Sequence, residues 1–202
     1  MPDVTDLCNE ALGLISAKSI AAIDDSSINA NHCLRLYPPL RDAIMRSHHW
    51  TSAKKRVKLA QDATAPVFEF NFAYTLPADC LKVIEYAGAN TDTTTLIPVY
   101  DGYQIRQGVY KIEGRKLLSN DGEVYIGYLR RLENPDEWDA LLYQVIVTWL
   151  AGKLAAAITK DIKLSTGLIE QAINIYLPLA TAVDGQQNSI EPMRTDDLKW
   201  GR

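Results

Sequence analysis

From Ala140 to Gly152 the chain carries no charge, and Asp139 and Lys153 bracket the run. Leu141, Leu142, Val145, Ile146, Val147, Trp149 and Leu150 fill it. A membrane span needs about 18 apolar residues or more, so this shorter run reads as a helix buried on most of its surface. A helix that is apolar all round must be enclosed by other elements. Asn134-Pro135 upstream is a cap with proline at the first helical position, and Asp136 and Glu137 suit the positive end of the helix dipole. The helix is expected to run to about Thr159. A second one, about Leu164 to Leu177, is expected to end near Pro178.

The N-terminal section supplies further walls. Asp3 or Thr5 can cap a helix carrying Leu7, Ala11, Leu14 and Ile15 at helical spacing. Asp24 to Ser27 form a capping cluster ahead of a second helix with Ala30, Cys33, Leu34, Tyr37, Leu40 and Ile44 as its apolar stripe. Pro38 and Pro39 remove backbone donors and predict a kink or a break there. His48, His49 and Trp50 close the element. Lys54, Lys55, Arg56 and Lys58 then read as a solvated basic face.

Between these sections the period changes from helix to strand. Phe68, Phe70 and Phe72 alternate with Glu69 and Asn71, which predicts a half-buried strand with an aromatic face. Leu76 to Cys80 reads as a turn, and Leu81, Val83, Ile84 and Tyr86 as the next strand. Gly88 to Thr95 reads as an exposed loop. Short strands follow at Ile97–Val99, Val109–Glu113 and Val124–Leu129, with Asp101-Gly102 and Asp121-Gly122 as turn pairs. The expected fold class is α+β. Residues 1–60 and 134–182 form one discontinuous helical bundle, 61–133 an inserted antiparallel β-rich region, and 183–202 an extended C-terminal tail.

Composition bounds the chemistry. A formal net charge of −4 and a pI near 5.4 argue against broad binding to a nucleic-acid backbone. Cys8, Cys33 and Cys80 lie far apart with no CxxC pair, so no disulfide framework or zinc site is expected. The first ten residues hold three acids and no base, unlike a secretory leader, which predicts an intracellular origin. The Gly-x-Ser-x-Gly, phosphate-loop and HExxH patterns are missing from the sequence. Adjacent His48 and His49 point about 100° apart on a helix and do not make a metal pair. Cys33 beside His32 diverges in the same way, against a nucleophile–base pair. Asp136, Glu137 and Asp139 could be read as the paired carboxylates of glycoside hydrolysis, but the helix dipole explains them more cheaply. No catalytic residue, cofactor or metal is expected. Trp200 stands apart, a large aromatic ending a polar tail with nothing local to pack on. A tail with Leu198, Trp200 and Arg202 can order on a partner, and a disordered end is the alternative reading.

Four ordered motifs add a resemblance. Asn9 to Ile15 comes first. Cys33-Leu34-Arg35-Leu36-Tyr37-Pro38-Pro39-Leu40-Arg41-Asp42 then leads to Arg46-Ser47-His48-His49-Trp50-Thr51-Ser52-Ala53, the basic pair Lys55-Arg56 and Leu59-Ala60. Leu76-Pro77-Ala78-Asp79-Cys80-Leu81 follows the aromatic segment, and the helix from Trp138 to Leu154 comes last. Over roughly residues 3 to 180 this set resembles the tail tubular protein A family of tailed bacteriophages, the head-to-tail adaptors or connectors. His49 stands where the family commonly has a proline. The resemblance implies a non-enzymatic virion protein at the head–tail junction, made in the host cytoplasm. It would form a homo-oligomeric ring, commonly of twelve, between the portal protein and the tail (nozzle or tube) protein. DNA would pass through the ring without specific binding, and no membrane is involved. Leu198, Trp200 and Arg202 would contact the portal or a neighbouring subunit. Two other readings remain open at this point. One is peptidoglycan hydrolysis, with Glu137 and Asp139 as its acids, and the other is a cellular helical interaction domain.

Overall fold

The computed structural model describes residues 3–88, 97–98 and 110–187. Helix α1 (Val4–Leu14) starts on a reciprocal cap: Asp6 N donates to Asp3 Oδ1 at 2.8 Å, and Asp3 N to Asp6 Oδ2 at 3.1 Å. Leu7, Cys8, Ala11 and Leu12 form its buried stripe. Helix α2 (Ile28–Ser47) is capped by Ser27 and buries Ala30, Cys33, Tyr37, Leu40, Ile44 and Met45. It runs unbroken through Pro38 and Pro39, where the sequence predicted a kink or a break. The carbonyls that lose their donors belong to Leu34 and Arg35, which are exposed, so water can take the place of the missing N–H groups.

Helix α3 (Ala140–Leu154) extends by a π turn, Ala155–Thr159. The 20-residue rod is long and apolar enough to cross a membrane by length and composition, yet just over half of its most apolar window is buried inside the protein. Helices packed against α3 bury Leu142, Val145, Ile146, Val147, Leu150 and Leu154 completely. Its cap is Asp139, whose side chain accepts from Leu141 N at 2.8 Å. Asn134-Pro135, expected as the cap, instead opens a short 3-10 turn (Pro135–Glu137).

Lys160, at φ 56°, reverses the chain. Helix α4 (Ile162–Gln171), a π turn (Ala172–Tyr176) and α5 (Leu177–Gln186) then form a continuous rod. The helix does not end at Pro178. In the π turn Leu177 N bonds Ala172 O, and the widened turn needs no donor where the proline falls. Val183–Gln186, assigned to the tail from sequence, are consequently helical. Gly152 sets the spacing of α3 and α4: a Cβ there would come within 2.6 Å of Ile169 Cγ1 and 3.0 Å of Ser165 O.

The strands are β1 (Lys54–Leu59), β2 (Phe72–Thr75), β3 (Cys80–Gly88), β4 (Ile97–Pro98), β5 (Tyr110–Glu113), β6 (Lys116–Ser119) and β7 (Val124–Arg130). They form two antiparallel sheets, ordered β1-β7-β3-β4 and β2-β6-β5. Leu59, Val83, Tyr86, Val124, Ile126 and Tyr128 of the first meet Tyr74 and Leu117 of the second in a separate core. Ile84 and Leu129 of the first sheet join the bundle core. Together the described elements give the expected α+β class, helices with an antiparallel β region between them.

One more local expectation fails. The Phe68–Phe72 alternation is not a strand. Phe70 N bonds Phe68 O at 2.9 Å around Glu69 at φ 72°, a γ-turn. Phe68 is left 76% exposed and Phe70 buried, and the strand begins only at Phe72. The basic run is solvated as expected, with Lys54, Lys55, Arg56 and Lys58 all exposed, and it forms the edge strand β1. Lys55 pairs with Asp79, Arg56 with Glu85 and Lys58 with Glu123. Charged side chains are a common guard on a sheet edge.

Candidate functional site

Two places at the ends of described elements hold side-chain hydrogen-bond networks. The first is the end of α5. Asp184 is 3% exposed although it carries a carboxyl group. His48 Nε2 lies 3.0 Å from its Oδ2, and Thr51 N donates to its Oδ1 at 2.9 Å. The His48 ring stands edge-on to Trp50 at 4.8 Å, and fully buried Trp50 donates through Nε1 to Ile44 O at 3.1 Å. His48 and Thr51 thus tie the last turn of α5 to the α2–β1 connection, with Trp50 packed against His48. The sequence reading saw only a polar helix end and missed Asp184, which lies 136 residues away. Its signal was faint: an acid in the last turn of a helix opposes the dipole and therefore needs a local partner.

The second place is the stem at the end of β3 and the start of β5, where Ile97–Pro98 (β4) also pairs back onto Tyr86 and Glu85. The rings of Tyr86 and Tyr110 stack at 4.6 Å. Tyr86 Oη donates to Asp121 Oδ2 at 2.7 Å and shares a 2.7 Å bond with Ser119 Oγ. Tyr74 Oη donates to Asp121 O, and Asp121 N to Ser119 Oγ. Burial lifts the Tyr86 phenol far above its ordinary range. Gly88 is required here, because a Cβ would fall on the Asp121 carboxylate.

Register fixes the separation of the two places. Lys54, Leu129 and Lys82 align beside the helices, whereas Leu59, Val124 and Gly88 align at the other end of the sheet. Gly88 therefore sits five residue steps along the sheet from the Lys54 end, about 16 Å at some 3.3 Å per residue, and Tyr86 three steps, about 10 Å.

The other residues singled out from sequence have structural employment. Glu137 is ion-paired with Arg130, and Asp139 caps α3. His32 Nδ1 faces Arg35. The Cys33 thiol meets Cys8 of α1 rather than His32; their hydrogen bond lowers Cys33 and raises Cys8. Among the described residues no group of three or more His, Cys, Asp or Glu could hold a metal ion. Leu198, Trp200 and Arg202 lie outside the described residues, as do Val99, Asp101-Gly102 and Val109 of the predicted strands and turns. No family model matches the chain, and no curated protein matches its sequence.

Proposed function

We propose that this chain is a structural virion protein, a head-to-tail adaptor whose copies form a ring between the portal and the tail. The observation that carries this reading is the separation of the two networks. The β3–β5 connection is braced at a stem at the far end of the sheet, and α5 ends in a clamp beside the helices. A spacer that must engage one component above it and another below needs such a division.

Ring closure requires a heterologous interface, one face of each copy meeting a different face of the next. The bundle would supply that wall. The portal and the tail (nozzle or tube) protein would be reached by the β3–β5 connection and by Leu198, Trp200 and Arg202. The structural duties of Glu137 and Asp139 support a non-enzymatic role over cell-wall hydrolysis. The net charge of −4 suits a channel that DNA crosses without sticking, since phosphate affinity would retard it. No cofactor enters this reading.

Light scattering tests it, on the protein alone and mixed with its candidate portal ring. The expected result is a protein that joins the portal in a fixed ratio, commonly twelve copies. A monomer indifferent to the portal refutes the adaptor reading.

A further inference from the structure

We propose that a cation-rimmed cleft beside α2 is the resting site of the chain's own Asp196–Trp200 stretch. The cleft, of about 580 Å³, lies between the last turns of α2, the start of β3 and the β5–β6 turn. Leu76, Leu81 and Ile112 give it an apolar floor, and Arg46, Arg115 and Arg131 rim it.

The charge there is unbalanced. Asp42 is the one carboxylate among the described residues that line it, and two guanidiniums already hold it. Arg41 Nη2 lies 2.8 Å from Oδ1 and Arg131 Nη2 2.9 Å from Oδ2. Arg115 is fixed by donating to the neutral carbonyls of Cys80 and Pro77, which leave its charge uncompensated. Arg46 makes no ion pair among the described residues. A chain of net charge −4 thus concentrates positive charge around a floor that favours apolar side chains.

One stretch outside the described residues matches that chemistry. Asp196 and Asp197 are adjacent acids, followed by Leu198, Lys199 and Trp200, so the stretch keeps a net negative charge beside two large apolar side chains. The geometry of the exit supports docking within one molecule. Asp184 is held against His48, two residues beyond Arg46 on the same helix end. The nine residues from Gln187 to Asp196 span up to about 30 Å when extended. A tether of that length gives the segment an effective concentration on the order of millimolar at its own cleft. A DNA backbone would instead want an open basic surface without an apolar floor. The docked stretch contains Leu198 and Trp200, so occupancy of the cleft withholds those anchors until a partner competes for them. The cleft assignment itself does not depend on the adaptor reading.

The test uses the full chain carrying Ala43→Cys and Leu198→Cys. Ala43 is exposed and lines the cleft, and all three native cysteines are buried. The control pair is Lys18→Cys with Leu198→Cys. Lys18 is exposed and its carbonyl accepts from Asn29 at the other end of α2, about 20 Å away at 1.5 Å per residue. Under mild copper–phenanthroline oxidation, the Ala43 pair is expected to close within one molecule at least tenfold faster than the control. Arg46→Glu should slow that closure at least tenfold, and adding Asp196→Lys should restore it, which separates charge pairing from misfolding. Equal rates for the two pairs overturn the proposal. Disulfides formed only between molecules overturn it in favour of a second copy. Protection of the Ala43→Cys thiol by a short DNA duplex overturns it in favour of a phosphate site. Because the readout needs no portal, the adaptor reading can fail while this one stands, and the reverse.

Discussion

Replacing Asp184 with alanine deletes the acceptor for Thr51 N and the partner of His48 together. Hydrogen bonds to a charged group are each worth about 1.5–3 kcal/mol. Part of that is returned, because a carboxylate buried at 3% exposure no longer has to be kept out of water. We expect a net loss of about 3 kcal/mol, which for a chain of this size lowers Tm by about 6–12 °C. Urea unfolding should show a lower midpoint with an unchanged m-value, read by far-ultraviolet circular dichroism. Asp184→Asn keeps an acceptor for Thr51 N and should cost about half as much. In a double-mutant cycle with His48→Ala, the coupling should be about 1–2 kcal/mol. Truncation after Val183 should behave like the alanine variant, and truncation after Gln187 like the parent. If Asp184→Ala stays within about 0.5 kcal/mol of the parent, the range of ordinary surface changes, the clamp reasoning is refuted.

Gly152→Ala should cost about 1–3 kcal/mol by forcing α4 away from α3, read as a lower urea midpoint. Phe68→Ser should leave stability within about 0.5 kcal/mol of the parent, whereas Phe70→Ser should cost several times as much; equal losses would restore the aromatic-strand reading. Thr51→Val removes a buried hydroxyl with no partner among the described residues while keeping the backbone donor. It should be neutral or stabilising by up to about 1 kcal/mol, and a clear loss would show that the hydroxyl is satisfied. Burial raises Tyr37 and Tyr128 to about 12, and Tyr86 further. The folded state thus keeps protons that the unfolded chain releases above pH about 10. This contribution is complete below that pH and lost as pH rises toward 12. Absorbance of ionised tyrosine should then appear together with unfolding; ionisation near 10 without unfolding would contradict the burial.

What the sequence made legible follows from how far each signal reaches. The uncharged run of α3, the stripe of α2 and the alternation of β3 are local, and they were readable from spacing alone. Strand β1 was hidden because lysine and arginine mask a strand whose inward side chains are only Val57 and Leu59. Phe68 to Phe72 misled because period two describes a strand and a γ-turn equally well. Pro178 misled because it falls directly after a π turn, whose wider hydrogen-bond pattern lets the helix continue past it. The clamp was invisible because its halves, His48 and Asp184, meet only once the fold exists. The cation-rimmed cleft was invisible for the same reason, since Arg46, Arg115 and Arg131 come from three separate elements.

The register of β7 has a mechanical consequence. It is flanked on both edges, by β1 and by β3, and its Leu129 end is embedded in the bundle core. A pull on the β3–β5 stem along the strand direction would load the hydrogen bonds of both ladders together, in shear, rather than one after another. The first sheet would then act as a strut, passing tension from its far end into the helices with little stretch. A pull across the strands at β1 would peel that edge bond by bond, so the molecule should be stiff along one axis and compliant across it.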